Sequence, residues 1–215
     1  RVYLLADDIF DEMVSRNVGE YRYPLGGKLY VFNKNENIGF IKGHMCSPAI
    51  ATQAEDLIAG GVKELIHVGY AGGLQPELVP GEIILTDGAF NDTAVARLYG
   101  YDYDIIHSSK DLTNEIEEMI TSAEILYKRG FHWTTDAGYR ETWGQVMDYR
   151  DKGALCVEME GVGLFTIANY RKCVATGIYV VSDVYLEDDW KLGWEGNDIK
   201  KAVGEIIDMI IKSIR

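Results

Sequence analysis

The chain has 215 residues, of which 47% are hydrophobic and 26% charged, and its formal net charge is −13. This length can bury a full core, and we expect one domain over residues 1–215. The negative charge argues against binding to nucleic acid or to an anionic membrane, and no apolar run approaches the ~20 residues that span a bilayer. Three widely spaced cysteines, two of them in apolar runs, indicate reduced thiols in a cytoplasmic protein and neither a disulfide framework nor a metal site.

The first sixty residues alternate short apolar runs with turn signals. Residues 2–6 predict a strand, and the beginning of the chain has too few apolar residues and too little positive charge for a signal peptide. Residues 28–32 and 38–42 predict a β-hairpin. Ser47 is the predicted N-cap of a helix that has proline in its first turn and ends at two glycines.

The middle of the chain continues the alternation of strands and helices. Residues 64–68 predict a buried strand that runs into a glycine-rich turn at residues 69–73, and residues 82–86 predict a further strand. Residues 114–128 are amphipathic and predict a helix. Strands alternating with helices imply an α/β fold.

Two acidic sites in the last third of the chain interrupt apolar elements. Glu158 and Glu160 follow the apolar run at residues 154–157, and Asp183 ends the β-branched run at residues 173–181. Open α/β sheets bind ligands outside the carboxyl ends of their strands, which favours a binding site at these carboxylates. The structural alternative is that Glu158 begins a helix and Asp183 caps a turn.

Three motifs in this order resemble those of the nucleoside phosphorylase superfamily. They are HVGYAGGLQPELVPGEIILTD, VEMEG and an apolar strand that ends in VSD, and together they cover most of the chain. The family includes purine nucleoside and uridine phosphorylases and the methylthioadenosine/S-adenosylhomocysteine nucleosidases. The resemblance implies an α/β domain with a mixed, largely parallel central sheet flanked by helices, without cofactor or metal, that assembles as a homo-oligomer.

The resemblance also implies roles for residues around the bound nucleoside. Glu160 holds the ribose hydroxyls, with Met159 and Glu158 beside the sugar. Asp183 is the catalytic acid that meets the purine. The remaining base-binding candidates are Tyr139, Arg140 and Ser182, with Tyr139 stacking on the base. Arg140 and Gln145 are also compatible with a pyrimidine substrate, because uridine phosphorylases use an arginine and a glutamine from this segment to bind the pyrimidine.

The acceptor region departs from the phosphorylase pattern. Phosphorylases place a glycine and an arginine where this chain has Asp7 and Asp11, and an arginine and a hydroxyl residue where it has His67 and Tyr70, on either side of Gly69. Nucleosidases carry a catalytic glutamate at the position of Asp11. Carboxylates repel phosphate but not water, so we predict that water is slightly favoured and that Asp11 is the general base.

Three hypotheses follow for a small-molecule nucleoside ligand. The first is cleavage of the N-glycosidic bond, purine favoured, with water as the acceptor. The second is phosphate-dependent cleavage by a purine nucleoside or uridine phosphorylase, with Arg22, Arg97 or Arg140 rebuilding a phosphate site. The third is a non-catalytic nucleoside-binding protein. Trp190 and Trp194, in a predicted loop over residues 188–196, are candidates to cover the site or to contact another subunit.

Overall fold

The computed structural model describes residues 1–186, 190–193 and 196–214. Within these ranges eleven strands form one mixed sheet flanked by helices, which confirms the predicted α/β fold. The strands are β1 Val2–Leu5, β2 Gly19–Tyr23, β3 Leu29–Phe32, β4 Asn35–Lys42, β5 Glu64–Gly73, β6 Ile83–Asp92, β7 Ile105–His107, β8 Tyr127–Thr135, β9 Cys156–Glu158, β10 Val174–Tyr185 and β11 Trp190–Leu192.

Helices cover both faces of the sheet. They are α1 Asp7–Ser15, α2 Ser47–Ala59, α3 Val95–Leu98, α4 Lys110–Ser122, α5 Trp143–Asp151, α6 Gly161–Arg171 and α7 Asn197–Ser213, with a 3₁₀ turn at Gly138–Arg140. One core cluster packs α1, α4 and α7 against the sheet, and a second packs α2 and α6. Residues 161–168 at the start of α6 are all buried, so this helix begins inside the protein.

The central strands close into a ring. β5 pairs in parallel with β1 and β10, and β8 pairs in parallel with β6 and β9. Antiparallel pairing of β9 with β5 and of β10 with β6 completes the ring. In this register Gly72 of β5 lies opposite both Asp183 of β10 and Val157 of β9. The ring therefore brings together the two acidic motifs, which are far apart in sequence.

The glycine-rich segment at residues 69–73 is a strand and not the predicted turn, because its backbone pairs with β10 and β9. Glycine is needed for packing at one position in particular. A Cβ on Gly72 would lie 2.8 Å from the Tyr185 ring and 3.3 Å from a carboxylate oxygen of Asp183. The absence of a side chain at this position therefore allows the ends of β5 and β10 to approach each other beside the acidic residues.

Two predicted helix boundaries are also wrong. The predicted helix 114–128 is α4, which ends at Ser122; Glu124 then takes a left-handed φ of 57°, and the chain enters β8 at Tyr127. Pairing of β8 with β6 outweighs the helical periodicity of those last residues. At the start of α2 the N-cap is Cys46, and Ser47 instead donates its hydroxyl hydrogen bond to the carbonyl of Met159 at 2.9 Å.

No helix within the described ranges is long and apolar enough to cross a membrane. The predicted loop over residues 188–196 is described only in part, as β11 and its flanks. Trp194 and the side chain of Trp190 lie outside the described residues.

Candidate active site

Glu158 is the buried centre of the acidic motif. Its carboxylate accepts hydrogen bonds from the backbone N–H groups of Glu160 and Gly161, each at 2.8 Å, and from the hydroxyl of Thr134. His132 Nε2 lies 3.0 Å from the same carboxylate. Burial opposes ionisation of Glu158, but His132 and Thr134 lower its pKa to about 2. Because protein donors surround this carboxylate, it fixes the first turn of α6 and has little remaining capacity to bind ribose.

His132 links Glu158 to the interior of the sheet. Both residues are fully or almost fully buried, and the Nδ1 of His132 lies 2.6 Å from the hydroxyl of Thr86. Nε2 of His132 serves as the donor to the ionised Glu158 carboxylate. This arrangement places a donor against the buried charge of Glu158, as burial of a carboxylate requires.

Glu160 lies beside Glu158 and is held by the backbone. Its Oε1 accepts from the N–H of Cys46 at 2.7 Å, and its Oε2 accepts from the N–H of Met159 at 3.4 Å. Burial and the negative charge of Glu158 raise the pKa of Glu160 to about 8. A cation that develops next to Glu160 would therefore strongly favour its ionised form.

The donor from Cys46 comes from an uncommon backbone conformation. Cys46 has φ 72° and ψ 149°, a region that glycine adopts readily and other residues rarely. Non-glycine residues in such regions persist where the surrounding structure enforces them, often at functional sites. Here the conformation directs the N–H of Cys46 at Glu160 as the chain enters α2.

Asp183 enters the same region from β10. Its carboxylate is 5% exposed and accepts a hydrogen bond from the hydroxyl of Ser182. A cavity of about 160 Å³ is lined by Asp183 and Ser182 on one side and by Glu158 and Met159 on the other. Of the predicted sugar-binding and base-binding residues, the cavity wall therefore contains Glu158 and Met159 from the first set and Ser182 and Asp183 from the second, whereas Glu160 is not in the wall.

The acceptor candidates lie at the start of α1 and along β5. Tyr70 lines the cavity and donates its hydroxyl hydrogen bond to Asp8 at 2.6 Å. Asp7 is exposed and pairs with Lys42 at 2.6 Å. Asp11 is exposed on α1 and is not among the residues that line this cavity. Asp8, which the sequence comparison with phosphorylases did not select, is the α1 carboxylate that contacts the cavity wall.

His67 is buried in β5 three residues before Tyr70, and Gly69, which lies between them, packs against the His67 ring. Burial lowers the pKa of His67 to about 4, so its ring is neutral at physiological pH. Ligand atoms of His67, Glu158 and Glu160 lie within 4.8 Å of one another, which makes them the described group able to hold a metal ion. The four protein donors on Glu158 compete with such an ion.

The remaining base and phosphate candidates lie outside the cavity wall. Tyr139 is fully exposed and Arg140 is exposed, both in the 3₁₀ turn. Gln145 is partly buried and closes a capping box at the start of α5. Arg22 pairs with Glu36 at 3.2 Å. Arg97 lines a different, acidic depression.

Two residues that sequence reasoning missed lie in the cavity wall beside Asp183. Glu141 follows the 3₁₀ turn, and its carboxylate accepts a hydrogen bond from the hydroxyl of Tyr185 at 2.6 Å. Tyr185 lies two residues after Asp183 on β10, so both side chains project from the same face of the strand. The two-residue period of a strand could have identified Tyr185 from the sequence, whereas no sequence feature indicated Glu141.

The phosphorylase superfamily model matches residues 6–212 of this chain. The chain belongs to the phosphorylase superfamily. Two similar relatives are DeoD-type purine nucleoside phosphorylases, from Exiguobacterium sibiricum and Caldanaerobacter subterraneus subsp. tengcongensis. Each is 29% identical to this chain over 186 residues. The matched region covers 85% of this chain, 77% of the Exiguobacterium protein and 78% of the Caldanaerobacter protein.

A solved structure has the same fold as this superfamily member. It is the crystal structure of purine nucleoside phosphorylase from Toxoplasma gondii in complex with immucillin-H, with a TM-score of 0.84. The similarity covers 99% of this chain and 89% of that chain at 19% sequence identity. At that identity the match supports the fold, and the site must be argued from the residues of this chain.

Proposed function

We propose that this superfamily member cleaves the N-glycosidic bond of purine nucleosides, with water as the favoured acceptor. Membership of the superfamily and the names of its relatives support bond cleavage and a purine substrate. The observation that carries the proposal is the cavity between Met159 of the VEMEG motif and Asp183, together with Glu160, the next residue in the chain, which the backbone holds. In this proposal Glu160 acts on the sugar and the buried Asp183 acts on the base.

Glu160 acts on the sugar. The anomeric carbon gains positive charge as the base departs, and an ionised Glu160 that accepts from the ribose hydroxyls stabilises that charge. In the free protein burial and the neighbouring Glu158 disfavour ionisation of Glu160. The developing sugar cation favours it, so the interaction strengthens as the transition state is approached, which is the requirement for catalysis.

Asp183 acts on the base. A purine leaves most readily when N7 is protonated, and the carboxyl group of Asp183 is the proposed proton donor. Ser182 holds one oxygen of Asp183, and the close approach of Gly72 leaves that carboxyl beside the cavity. Met159 lies in the cavity wall between the acidic residues and provides an apolar surface for the sugar.

The start of α1 supplies the argument for water. Two carboxylates near a phosphate dianion would each cost about 1–4 kcal/mol at ~4 Å, depending on the effective dielectric. The neutral His67 does not offset that repulsion. A carboxylate can instead accept a proton from water. The residue-based prediction for this base is Asp11, and the contact between Asp8 and Tyr70 makes Asp8 the second candidate.

Phosphorolysis is the second candidate function. The names of the DeoD-type relatives favour it, and Lys42, which pairs with Asp7, is a cation at the acceptor end of the site. Arg22, Arg97 and Arg140 belong to the same alternative. The homo-oligomer expected from the family resemblance stays a prediction.

The test measures release of base from inosine and adenosine with and without phosphate and identifies the sugar product. The proposal predicts phosphate-independent release of free ribose. It also predicts a large loss of that activity in either D8N or D11N, and the variant affected identifies the base. Strict phosphate dependence with ribose 1-phosphate as product would establish phosphorolysis instead. Binding of nucleosides without any turnover would support the non-catalytic alternative.

A further inference from the structure

Two hydrogen bonds join the start of α2 to the residues just before α6. The hydroxyl of Ser47 donates to the carbonyl of Met159 at 2.9 Å, although the two residues are 112 positions apart in the sequence. The N–H of Cys46 donates to Oε1 of Glu160 at 2.7 Å. Both bonds use consecutive residues on each segment, so the Ser47 bond restricts where the N–H of Cys46 can point.

Gly163 allows the two segments to approach this closely. A Cβ on Gly163 would lie 2.5 Å from the carbonyl oxygen of Ser47 and 2.8 Å from its Cα, which is closer than a Cβ can come to backbone atoms. Ser47 itself is fully buried. Any side chain on Gly163 would therefore push the start of α2 away from the first turn of α6, which begins directly after Glu160.

The contact with α2 acts on the carboxylate of Glu160. The bond from Cys46 is the shorter of the two described backbone hydrogen bonds to this carboxylate. Burial and the negative charge of Glu158 raise the pKa of Glu160 to about 8, and the N–H of Cys46 partly opposes that rise. The other titratable groups that face Glu160 are His67 of β5, Tyr179 of β10 and the thiol of Cys46.

We propose that Ser47 is a positioning residue for the sugar chemistry: its hydroxyl holds the start of α2 against Met159, so that the adjacent backbone N–H supports the ionised carboxylate of Glu160. Gly163 is required for the same contact. The proposal rests on the nucleoside-cleaving function argued above. Ser47 and Gly163 are not in the cavity wall, so they act through Glu160 and not on the substrate.

The test measures binding of 9-deazaadenosine, whose base is joined to the sugar by a carbon–carbon bond that cannot be hydrolysed, and of 9-deazaadenine, the same base without the sugar. Ser47→Ala should weaken binding of the nucleoside about 2–10-fold, the factor that corresponds to one ordinary hydrogen bond, and leave binding of the base unchanged. Gly163→Ala should weaken nucleoside binding more, because displacement of α2 moves the donor away from Glu160.

The same substitution in a Glu160→Ala background separates positioning from general destabilisation. Without a carboxylate at this position Ser47 has nothing to position, so the effect of S47A on nucleoside binding should disappear. Thr176→Val is the matched control, because it removes another buried hydroxyl, which bonds to Thr113 at 2.8 Å and is not in the cavity wall. It should leave nucleoside binding unchanged. Equal weakening of nucleoside and base in S47A, or the same loss in the E160A background, would overturn the inference.

The pH profile of kcat/KM on an accepted nucleoside is the second measurement. Weaker support from the N–H of Cys46 should raise the pKa of Glu160 further, so the rise of kcat/KM with pH should move to higher pH in S47A but not in T176V. A profile in S47A that coincides with the wild type would contradict the inference. If the wild type releases no base, the proposed function fails, and the binding measurements still test Ser47. If the wild type does not bind 9-deazaadenosine, both are overturned.

Discussion

The proposed site has a sugar end, formed by Glu158 and Glu160, and an acceptor end, formed by Asp7 and Asp8, and the two ends hold their carboxylates in different ways. At the sugar end Glu158 and Glu160 are held mainly by backbone N–H groups and by buried side chains. At the acceptor end Asp7 and Asp8 are exposed and are held by the side chains of Lys42 and Tyr70. Buried charges interact strongly because water screens them little, and exposed pairs contribute little. The sugar end is therefore a fixed electrostatic site, and the acceptor end is the more easily altered one.

The largest expected effect comes from a variant that distinguishes catalysis at the base from catalysis at the sugar. Asp183→Asn removes the proposed proton donor, and general acid catalysis contributes about 10²–10⁴-fold. We expect a loss of that order on inosine or adenosine and a much smaller loss on a nitrophenyl riboside, whose leaving group needs no proton. Steady-state kinetics on both substrates make the comparison. Equal losses on the two would restrict Asp183 to a structural role.

Glu160→Gln tests the sugar end directly. The amide keeps the shape of the side chain but cannot stabilise the developing cation, so kcat should fall by about 10²–10³-fold on every accepted nucleoside. The nitrophenyl riboside should be affected equally, in contrast to Asp183→Asn. Unchanged turnover with both leaving groups would remove Glu160 from the chemistry.

Variants of His132 test whether the buried hydrogen bond from His132 to Glu158 stabilises the protein. His132→Phe removes the donor that faces Glu158 and should lower the free energy of unfolding by about 1.5–3 kcal/mol. His132→Gln can place an amide N–H near the position of Nε2 and should recover part of that loss. Urea unfolding at neutral pH measures both variants. Equal stability of the Phe and Gln variants would show that the hydrogen bond to Glu158 contributes nothing.

The residues of the proposed sugar end were more accessible to sequence reasoning than the contacts that the structure shows at the proposed acceptor and base ends. The VEMEG motif and the strand ending in Asp183 are recognisable from local apolar runs in the sequence. Closure of the sheet into a ring then brings the two together. His132 was not identified, because a histidine inside a strand has no periodic signal of its function. Glu141 was not identified either, because its hydrogen bond with Tyr185, 44 residues away, is formed only in the folded chain. Asp8 acquires its contact only through the fold.

The pH dependence of stability distinguishes Glu160 from an ordinary surface carboxylate. Its pKa is raised from 4.5 to about 8 in the folded state, so the folded protein binds more protons than the unfolded chain between these values. Stability from this group is present below pH ~4.5 and is lost as the pH rises through ~8. The stability of Glu160→Gln relative to the wild type should therefore increase as the pH rises from 5 to 9.

Thermal unfolding of the wild type and E160Q across this pH range measures the difference. The other titrating groups are common to both proteins, so their contributions largely cancel in the comparison. A constant difference between E160Q and wild type from pH 5 to pH 9 would contradict the raised pKa of Glu160.

The smallest expected effect concerns the backbone strain at the sugar end. Cys46 has a positive φ, and such strain costs on the order of 1–3 kcal/mol, whereas glycine there costs about 0.5–1 kcal/mol of chain entropy. Cys46→Gly should therefore stabilise the protein by roughly 0.5–2 kcal/mol in urea unfolding. The N–H that donates to Glu160 is kept, so turnover should persist. Cys46→Ala removes the thiol but keeps the strain; if it stabilised the protein as much as glycine does, the thiol and not the backbone would be responsible.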